Sequence, residues 1–88
     1  MTSAILWTPQ ARRQLDRLSP RDQDRIVAAL DTYAATGHGD VKKLAAQEDP
    51  TWRLRVGDWL VFLTRAHADD RPALVVAAIA NRRDAYRG

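Results

Sequence analysis

The sequence predicts an α+β fold in which a β-α-α-β-β-β order of elements builds an antiparallel-rich, four-stranded sheet with a helical hairpin packed on one face. Three observations predict it. Two Ser or Thr residues stand directly before prolines, and apolar residues at helical spacing follow each of them. Around the dipeptide Gly57-Asp58, apolar and polar residues alternate as in a hairpin. A final apolar run, ALVVAAIA, supplies one more strand.

The first half of the chain holds one strand and both helices. Residues 4–7 form a short apolar run, which predicts an edge or terminal strand. Thr8 caps a helix over residues 9–18, since its first residue is a proline that loses no hydrogen bond there. Ser19 repeats the signal for a helix that ends near residue 37. Because only this cap separates the helices, we expect an antiparallel helical hairpin.

The second half predicts three strands, at residues 52–56, 59–64 and 73–80. Residues 40–50 are mostly polar and are interpreted as a loop with a short turn near residues 41–44. A polar, proline-ended connection at residues 67–72 joins the last two strands. The last strand is apolar on both faces, which favours a central position in the sheet. Residues 81–88 are interpreted as a basic tail.

Length and composition limit the class of protein. Eighty-eight residues are enough for one domain, spanning residues 1–88. The chain has no cysteine, which excludes disulfide and thiol chemistry. No stretch approaches the length of a membrane span, and the first residues lack the features of a signal peptide. A cytoplasmic protein without a membrane partner is therefore expected.

Arginine dominates the charge, and its placement points to an anionic partner. The first 50 residues are neutral overall, whereas residues 51–88 carry seven arginines against four aspartates and so the whole net charge of +3. Guanidinium groups bind phosphate and carboxylate in a planar, two-pronged geometry. These features predict a polyanionic partner, either a nucleic acid or an acidic protein segment.

The predicted hairpin places two arginines on one face of the sheet. A two-residue turn pairs Arg55 with Leu60 and Arg53 with Phe62, and alternation adds Thr64 to the same face. The opposite face is apolar and should pack on the helices; it consists of Trp52, Leu54, Val56, Trp59, Val61 and Leu63. The mixed basic and apolar face suits RNA, through phosphate pairing and base stacking. Arginine is also common on the solvated face of an antiparallel sheet, so this simpler interpretation stays open.

Four segments occur in an order typical of one family. They are TPQARRQLDRL, VKKL, RVGDW followed by an apolar strand, and a last strand that ends in NRRDAYRG. Together they resemble the RelE/ParE superfamily of toxins from bacterial type II toxin–antitoxin pairs, over nearly the whole chain. The RelE branch implies a toxin that cuts mRNA in the ribosomal A site without a metal. The RNA 2′-hydroxyl attacks the adjacent phosphate, basic side chains stabilise the charge, and a tyrosine assists proton transfer.

The resemblance implies roles for particular residues. The catalytic positions fall on Arg53, Arg55, Arg82 and Tyr86. The substrate-binding positions fall on Lys42, Lys43, Arg83 and Arg87. No cofactor is implied, and His38 and His67 lie in predicted loops without carboxylates at ligand spacing, so no metal site is expected. Tyr86 is equally compatible with a tail anchor packed on the sheet.

Two positions depart from the family pattern. Leu60 stands where ribosome-dependent members usually have arginine, and Asn81 stands where many members have histidine. Both departures favour the alternatives, which are a non-catalytic inhibitor of DNA gyrase like the ParE branch, or a catalytically degenerate toxin. All three hypotheses imply a cognate antitoxin whose acidic and apolar segment wraps the domain. The RelE-like hypothesis adds the ribosome and mRNA as partners, and the ParE-like hypothesis adds DNA gyrase.

Overall fold

The structure, a computed structural model, describes residues 3–44 and 51–85. Its strands are β1 (Ala4–Trp7), β2 (Asp40–Lys43), β3 (Thr51–Val56), β4 (Trp59–Ala68) and β5 (Arg71–Asn81), and its helices are α1 (Pro9–Asp16), α2 (Pro20–Thr36) and α3 (Arg82–Ala85). The strands form one sheet in the order β1-β5-β4-β3-β2. β1 runs parallel to β5, and the other pairs are antiparallel. The predicted α+β class is confirmed. Within the described ranges, no helix is long and apolar enough to cross a membrane.

Both long helices begin at the predicted caps. The Thr8 hydroxyl oxygen accepts a hydrogen bond from the Ala11 N–H at 3.1 Å, and the Ser19 hydroxyl oxygen accepts one from the Asp22 N–H at 3.2 Å. A proline follows each cap. α2 ends at Gly37, whose φ of 77° is a left-handed conformation that glycine adopts without side-chain strain.

The core lies between the two long helices and one face of the sheet. The buried cluster combines Ala11, Leu15, Ile26 and Leu30 of the helices with Leu54, Val56, Val61, Leu63, Val76 and Ile79 of the strands. The hairpin register is as predicted, with Arg55 opposite Leu60 and Arg53 opposite Phe62. The predicted apolar hairpin face therefore contributes directly to the core. β5 lies between β1 and β4, which confirms its interior position.

The described sheet has five strands, so the prediction of four was wrong. The additional strand is β2, which occupies part of the segment interpreted as a loop with a turn. It pairs antiparallel with β3, with Val41 opposite Leu54. Its sequence, DVKK, is too short to show strand alternation, so backbone pairing with β3 defines it rather than a sequence pattern. Lys42 and Lys43 at this sheet edge discourage pairing with another chain. Residues 45–50 lie outside the described ranges.

The connection between β4 and β5 is also shorter than predicted. The two strands extend through residues 67, 68, 71 and 72, which leaves Asp69 and Asp70 as a two-residue turn. Their φ values are 53° and 61°, the pair of positive angles that a type I′ hairpin turn requires. Aspartate tolerates this conformation better than most residues do. Because no glycine marks the position, the sequence indicated only a polar connection.

Beyond the end of β1, the side chains of Thr8, the N-cap of α1, and of Gln14 within α1 replace a strand as the partner of β5. β1 pairs with β5 only as far as Val76, and a bulge in β5 follows. The Thr8 hydroxyl donates a hydrogen bond to the Ala77 carbonyl at 3.0 Å. The Ile79 N–H donates to Oε1 of Gln14 at 2.7 Å. These bonds satisfy backbone groups of β5 that pair with no strand of the described residues on this side.

We predict that Thr8→Val lowers the free energy of unfolding by about 1–3 kcal/mol, because it removes a helix cap and leaves the Ala77 carbonyl without its donor. Valine has nearly the same shape, so the loss reports on the hydroxyl. Urea unfolding followed by tryptophan fluorescence measures it. Ser19→Ala is the matched control, since it removes an exposed cap alone and should cost about 1 kcal/mol or less. Equal losses in the two variants would contradict a role of Thr8 in holding β5.

Candidate functional site

The predicted arginines of the hairpin lie on the side of the sheet opposite α1 and α2, which we term the second face. Strand pairing arranges its residues in two neighbouring cross-strand rows, Lys42-Arg53-Phe62-Ala78 and Asp40-Arg55-Leu60-Ala80. Directly opposed side chains have Cβ atoms about 5 Å apart. Lys42, Arg53 and Arg55 are therefore close neighbours, as a joint role requires. Arg53 is half-buried, whereas Lys42 and Arg55 are exposed.

Lys43 does not join these cations. Successive strand residues point to opposite faces, so Lys43 lies on the helix side, opposite Trp52. Its Nζ is 5.8 Å from the centroid of the Trp52 ring, and Cζ of Arg65 is 4.4 Å from the same ring. Arg65 also donates a hydrogen bond to the Tyr33 hydroxyl at 3.2 Å. The two cations thus make cation–π contacts with Trp52, and Lys43 is separated from the other predicted substrate-binding lysine.

Arg82 and Arg83 lie at the end of the sheet that carries the β3–β4 turn. The Arg82 N–H donates to the Asp58 carbonyl at 2.7 Å, which joins the first residue of α3 to this turn. Oδ1 of Asn81 accepts a hydrogen bond from the Arg83 N–H at 3.0 Å, the bond expected of a helix-capping residue. Asn81 therefore has a structural task at the position where many family members have histidine. Both arginines are exposed.

A further arginine, which no sequence pattern indicated, lies against the same turn. Gly57 has a φ of 60°, and a methyl group placed on its Cα would lie 3.0 Å from Nη2 of Arg25 in α2. Nε of Arg55 donates to the Gly57 carbonyl at 3.2 Å. The side chains of Arg25 and Arg55 therefore both lie against Gly57. In the sequence, Arg25 is one of several polar residues on an amphipathic helix, and nothing there links it to the hairpin.

The remaining predicted site residues, Tyr86 and Arg87, lie outside the described ranges, and their roles stay predictions. The structure thus brings Lys42, Arg53 and Arg55 together and places the start of α3 at one end of their surface. Within residues 3–44 and 51–85, no three His, Cys, Asp or Glu side chains are grouped to hold a metal ion.

Leu60 is almost completely buried, with 2% of its surface exposed, although it lies on the second face. It does not belong to the buried cluster between the helices and the sheet. Its cross-strand neighbours are Arg55 and Ala80. The second face is therefore not uniformly solvated, and this position offers neither charge nor a hydrogen-bond donor beside Arg55.

We predict that Leu60→Ala lowers the free energy of unfolding by about 2–4 kcal/mol, because truncating a fully buried leucine loses apolar burial and leaves a cavity. Leu6→Ala is the control. Leu6 is 44% exposed, and truncation of an exposed side chain should cost about 0.5 kcal/mol or less. Denaturant unfolding of both variants makes the comparison. A loss at position 60 no larger than at position 6 would show that Leu60 does not pack as described.

The fold is shared with solved toxin–antitoxin complexes. The archaeal RelE–RelB complex from Pyrococcus horikoshii OT3 contains a chain with a TM-score of 0.74 and 22% identity, and the match covers 100% of both chains. The RelBE2 toxin–antitoxin complex from Mycobacterium tuberculosis gives a TM-score of 0.74 and 22% identity, covering 93% of this chain and 100% of that chain. At this level of identity the likeness concerns the fold.

The family itself is shown by sequence. No curated protein matches the chain. Residues 5–86, however, match the model of a family described as the ParE toxin of the type II toxin–antitoxin system parDE. This match includes both long helices and all the strands that follow them. The predicted relationship to the RelE/ParE superfamily is thereby confirmed, and the chain belongs to the ParE toxin family of type II toxin–antitoxin systems.

Proposed function

We propose that this toxin inhibits growth by acting on RNA, binding mRNA across the second face and cleaving it on the ribosome as the RelE branch does. The observation that carries the proposal is the group of three neighbouring cations, Lys42, Arg53 and Arg55, on two paired strands. In the same row as Lys42 and Arg53, the half-buried ring of Phe62 offers an apolar surface for a base. Single-stranded RNA is bound by cations that pair with its phosphates and by aromatic rings on which its bases stack, and this surface offers both.

The proposed chemistry is a transesterification. The 2′-oxygen of one nucleotide forms a bond to the adjacent phosphorus while the bond from phosphorus to the 5′-oxygen breaks. The proton of the 2′-hydroxyl passes to a base, and the leaving 5′-oxygen receives one from an acid, so the products are a 2′,3′-cyclic phosphate and a 5′-hydroxyl. Negative charge increases on the phosphate oxygens in the transition state, where donors contribute most. We propose that Arg53 and Arg55 supply these donors; Arg53 is half-buried, so its guanidinium is partly desolvated.

The proton transfers are proposed for Tyr86, on the resemblance of NRRDAYRG to the family's C-terminal segment. Leu60 has no titratable group, and the side-chain oxygen of Asn81 accepts the Arg83 N–H. Neither residue replaces the arginine and histidine that other members carry at these positions. The catalytic hypothesis therefore depends on Tyr86 more strongly than it would in those members.

The same two residues favour a second candidate function, the binding and inhibition of DNA gyrase without cleavage. The family model that matches residues 5–86 is that of the ParE toxin. A buried Leu60 beside Arg55 gives the second face a combination of apolar and basic groups that protein interfaces also use. Under this hypothesis the arginines contact a protein, and Tyr86 has no catalytic role.

Under either hypothesis we propose a cognate antitoxin as the partner. Both solved relatives are complexes of a toxin with its antitoxin. Arg53 and Arg55 suit carboxylates as well as phosphates, since guanidinium binds both in two-pronged geometry. An antitoxin segment with acidic residues at these arginines and apolar residues near Phe62 would cover the second face. The toxin and its target would then compete with the antitoxin for one surface.

The first test is expression of the toxin without antitoxin, with mapping of mRNA ends. New ends in translated messages are expected for the wild type. Arg53→Ala and Arg55→Ala should each reduce cleavage by about a hundredfold or more, the usual loss for one transition-state donor. Arg71→Ala is the matched control, because Arg71 is exposed and lies beside the β4–β5 turn, at the opposite end of the sheet from the β3–β4 turn. Unaltered mRNA ends with altered plasmid supercoiling and a DNA-damage response would instead support gyrase as the target.

The second test concerns Tyr86. We expect Tyr86→Phe to abolish mRNA cleavage while RNA binding is retained, because the ring stays and only the hydroxyl is removed. Primer extension on ribosome-bound mRNA measures cleavage, and fluorescence anisotropy with labelled RNA measures binding. A folded Tyr86→Phe variant with full cleavage would contradict the role of the hydroxyl. A folded, fully active Tyr86→Phe variant together with a Tyr86→Ala variant that loses folding would favour the tail-anchor interpretation.

A further inference from the structure

We infer that Arg25 of α2 is part of the nucleic-acid-binding surface, and that it forms with Arg55 a phosphate-binding site at the β3–β4 turn. The inference rests on the proposed action on RNA and extends it to a residue on the other side of the sheet. Nη2 of Arg25 lies 3.0 Å from the position that a Cβ atom on Gly57 would occupy. Nε of Arg55 donates to the Gly57 carbonyl. Two guanidinium groups from different elements thus contact a single glycine.

The charge balance at the turn favours an external anion. Arg25, Arg55 and Arg82 are all exposed. Asp40 lies opposite Arg55 in the strand pairing, and Asp58 belongs to the turn. In the described part of the chain, the ion pair found is between Arg12 and Asp16 of α1, and neither Asp40 nor Asp58 forms one with these three arginines. Two cations held close together repel each other, and that repulsion is relieved when an anion binds between them. Nε of Arg55 is used by the Gly57 carbonyl, and the Nη donors of these arginines are left for such an anion.

The turn itself contributes to the site. Gly57 has no side chain, which lets the Arg25 guanidinium approach the backbone closely. The Arg55 bond to the Gly57 carbonyl holds the second guanidinium beside it at 3.2 Å. The Arg82 N–H bond to the Asp58 carbonyl attaches the start of α3 to the same turn at 2.7 Å. The guanidinium groups of Arg25 and Arg55 and the backbone of Arg82 thus all lie at one two-residue segment.

The shape of this surface favours a phosphodiester chain over an isolated anion. Arg55 shares the second face with Lys42 and Arg53, whereas Arg25 reaches the turn from the helix side. The cations therefore follow a path along the second face and around the end of the hairpin. A polymer with regularly repeated charges can follow such a path and contact each cation in turn.

The test measures binding of a fluorescein-labelled, single-stranded oligouridine RNA to the purified toxin by anisotropy, over a series of NaCl concentrations. Arg25→Ala should weaken binding and lower the slope of log K against log[salt] by about 0.7, the value for one lost contact with a single-stranded phosphate. Arg25→Gln should weaken binding and lower the slope in the same way, because it removes the charge and keeps most of the side chain. This variant replaces Arg25→Ala in the test if the alanine variant is poorly folded. Arg71→Ala should leave the slope unchanged. Arg25 variants that behave like Arg71→Ala would overturn the inference.

Two further arms separate this inference from the proposed function. Arg53→Ala should also lower the slope of log K against log[salt]. If Arg53→Ala lowers it and the Arg25 variants do not, the inference about Arg25 fails, while RNA binding by the second face is supported. If the Arg25 variants lower the slope but wild-type cells show no new mRNA ends, the cleavage hypothesis fails and the phosphate site stands. A wild-type toxin without measurable RNA affinity overturns both. An oligoglutamate peptide is titrated in parallel, and Arg25 variants that weaken only this peptide would identify the anion as a protein carboxylate and overturn the inference.

Discussion

The two-residue turn at Gly57-Asp58 sets the register of the β3–β4 hairpin, and the rest of the molecule depends on that register. The positive φ of Gly57, 60°, at the first central position is the feature of a type II′ turn, which suits the twist of paired strands. A slip of one residue would move Arg53 and Arg55 into the core and Leu54 out of it. Burying two guanidinium groups without partners costs several kcal/mol each, comparable with the whole stability of a small domain. The alternative register is therefore excluded, and both faces of the sheet follow from one turn.

Each long helix is joined to the sheet by polar contacts as well as by the core. α1 binds backbone groups of β5 through Thr8 and Gln14, at the bulge where β1 has ended. α2 is joined to β4 by the hydrogen bond that Arg65 donates to the Tyr33 hydroxyl, and its Arg25 lies beside the hairpin turn. Apolar packing alone is weakly directional, whereas hydrogen bonds to particular backbone atoms fix where along a strand a helix lies. In a small protein with few large core residues, such contacts help to determine how the helices are positioned on the sheet.

The sequence predicted those features that arise from local chemistry. Ser19 and Thr8 identify helix starts because a cap and a following proline act within one turn, and the hairpin register follows from the length of its turn. β2 was missed because four residues with one apolar side chain carry no periodic signal, and only pairing with β3 makes them a strand. Arg25 was missed for a related reason. Its contact with Gly57 joins residues distant in sequence, and exposed helical arginines are too common to stand out. Lys42 and Lys43 belong to one sequence motif, VKKL, but successive strand residues point to opposite faces of the sheet, so only Lys42 lies on the second face.

The burial of Leu60 also bears on how this chain could change over time. At a solvated position, one substitution could introduce the arginine that is usual in ribosome-dependent members. Here such a substitution would replace a buried side chain before any benefit to chemistry appeared, and natural proteins have little stability in reserve. Compensating changes around position 60 would have to come first. The route from this toxin to a more strongly cationic one is therefore restricted by packing around a single leucine.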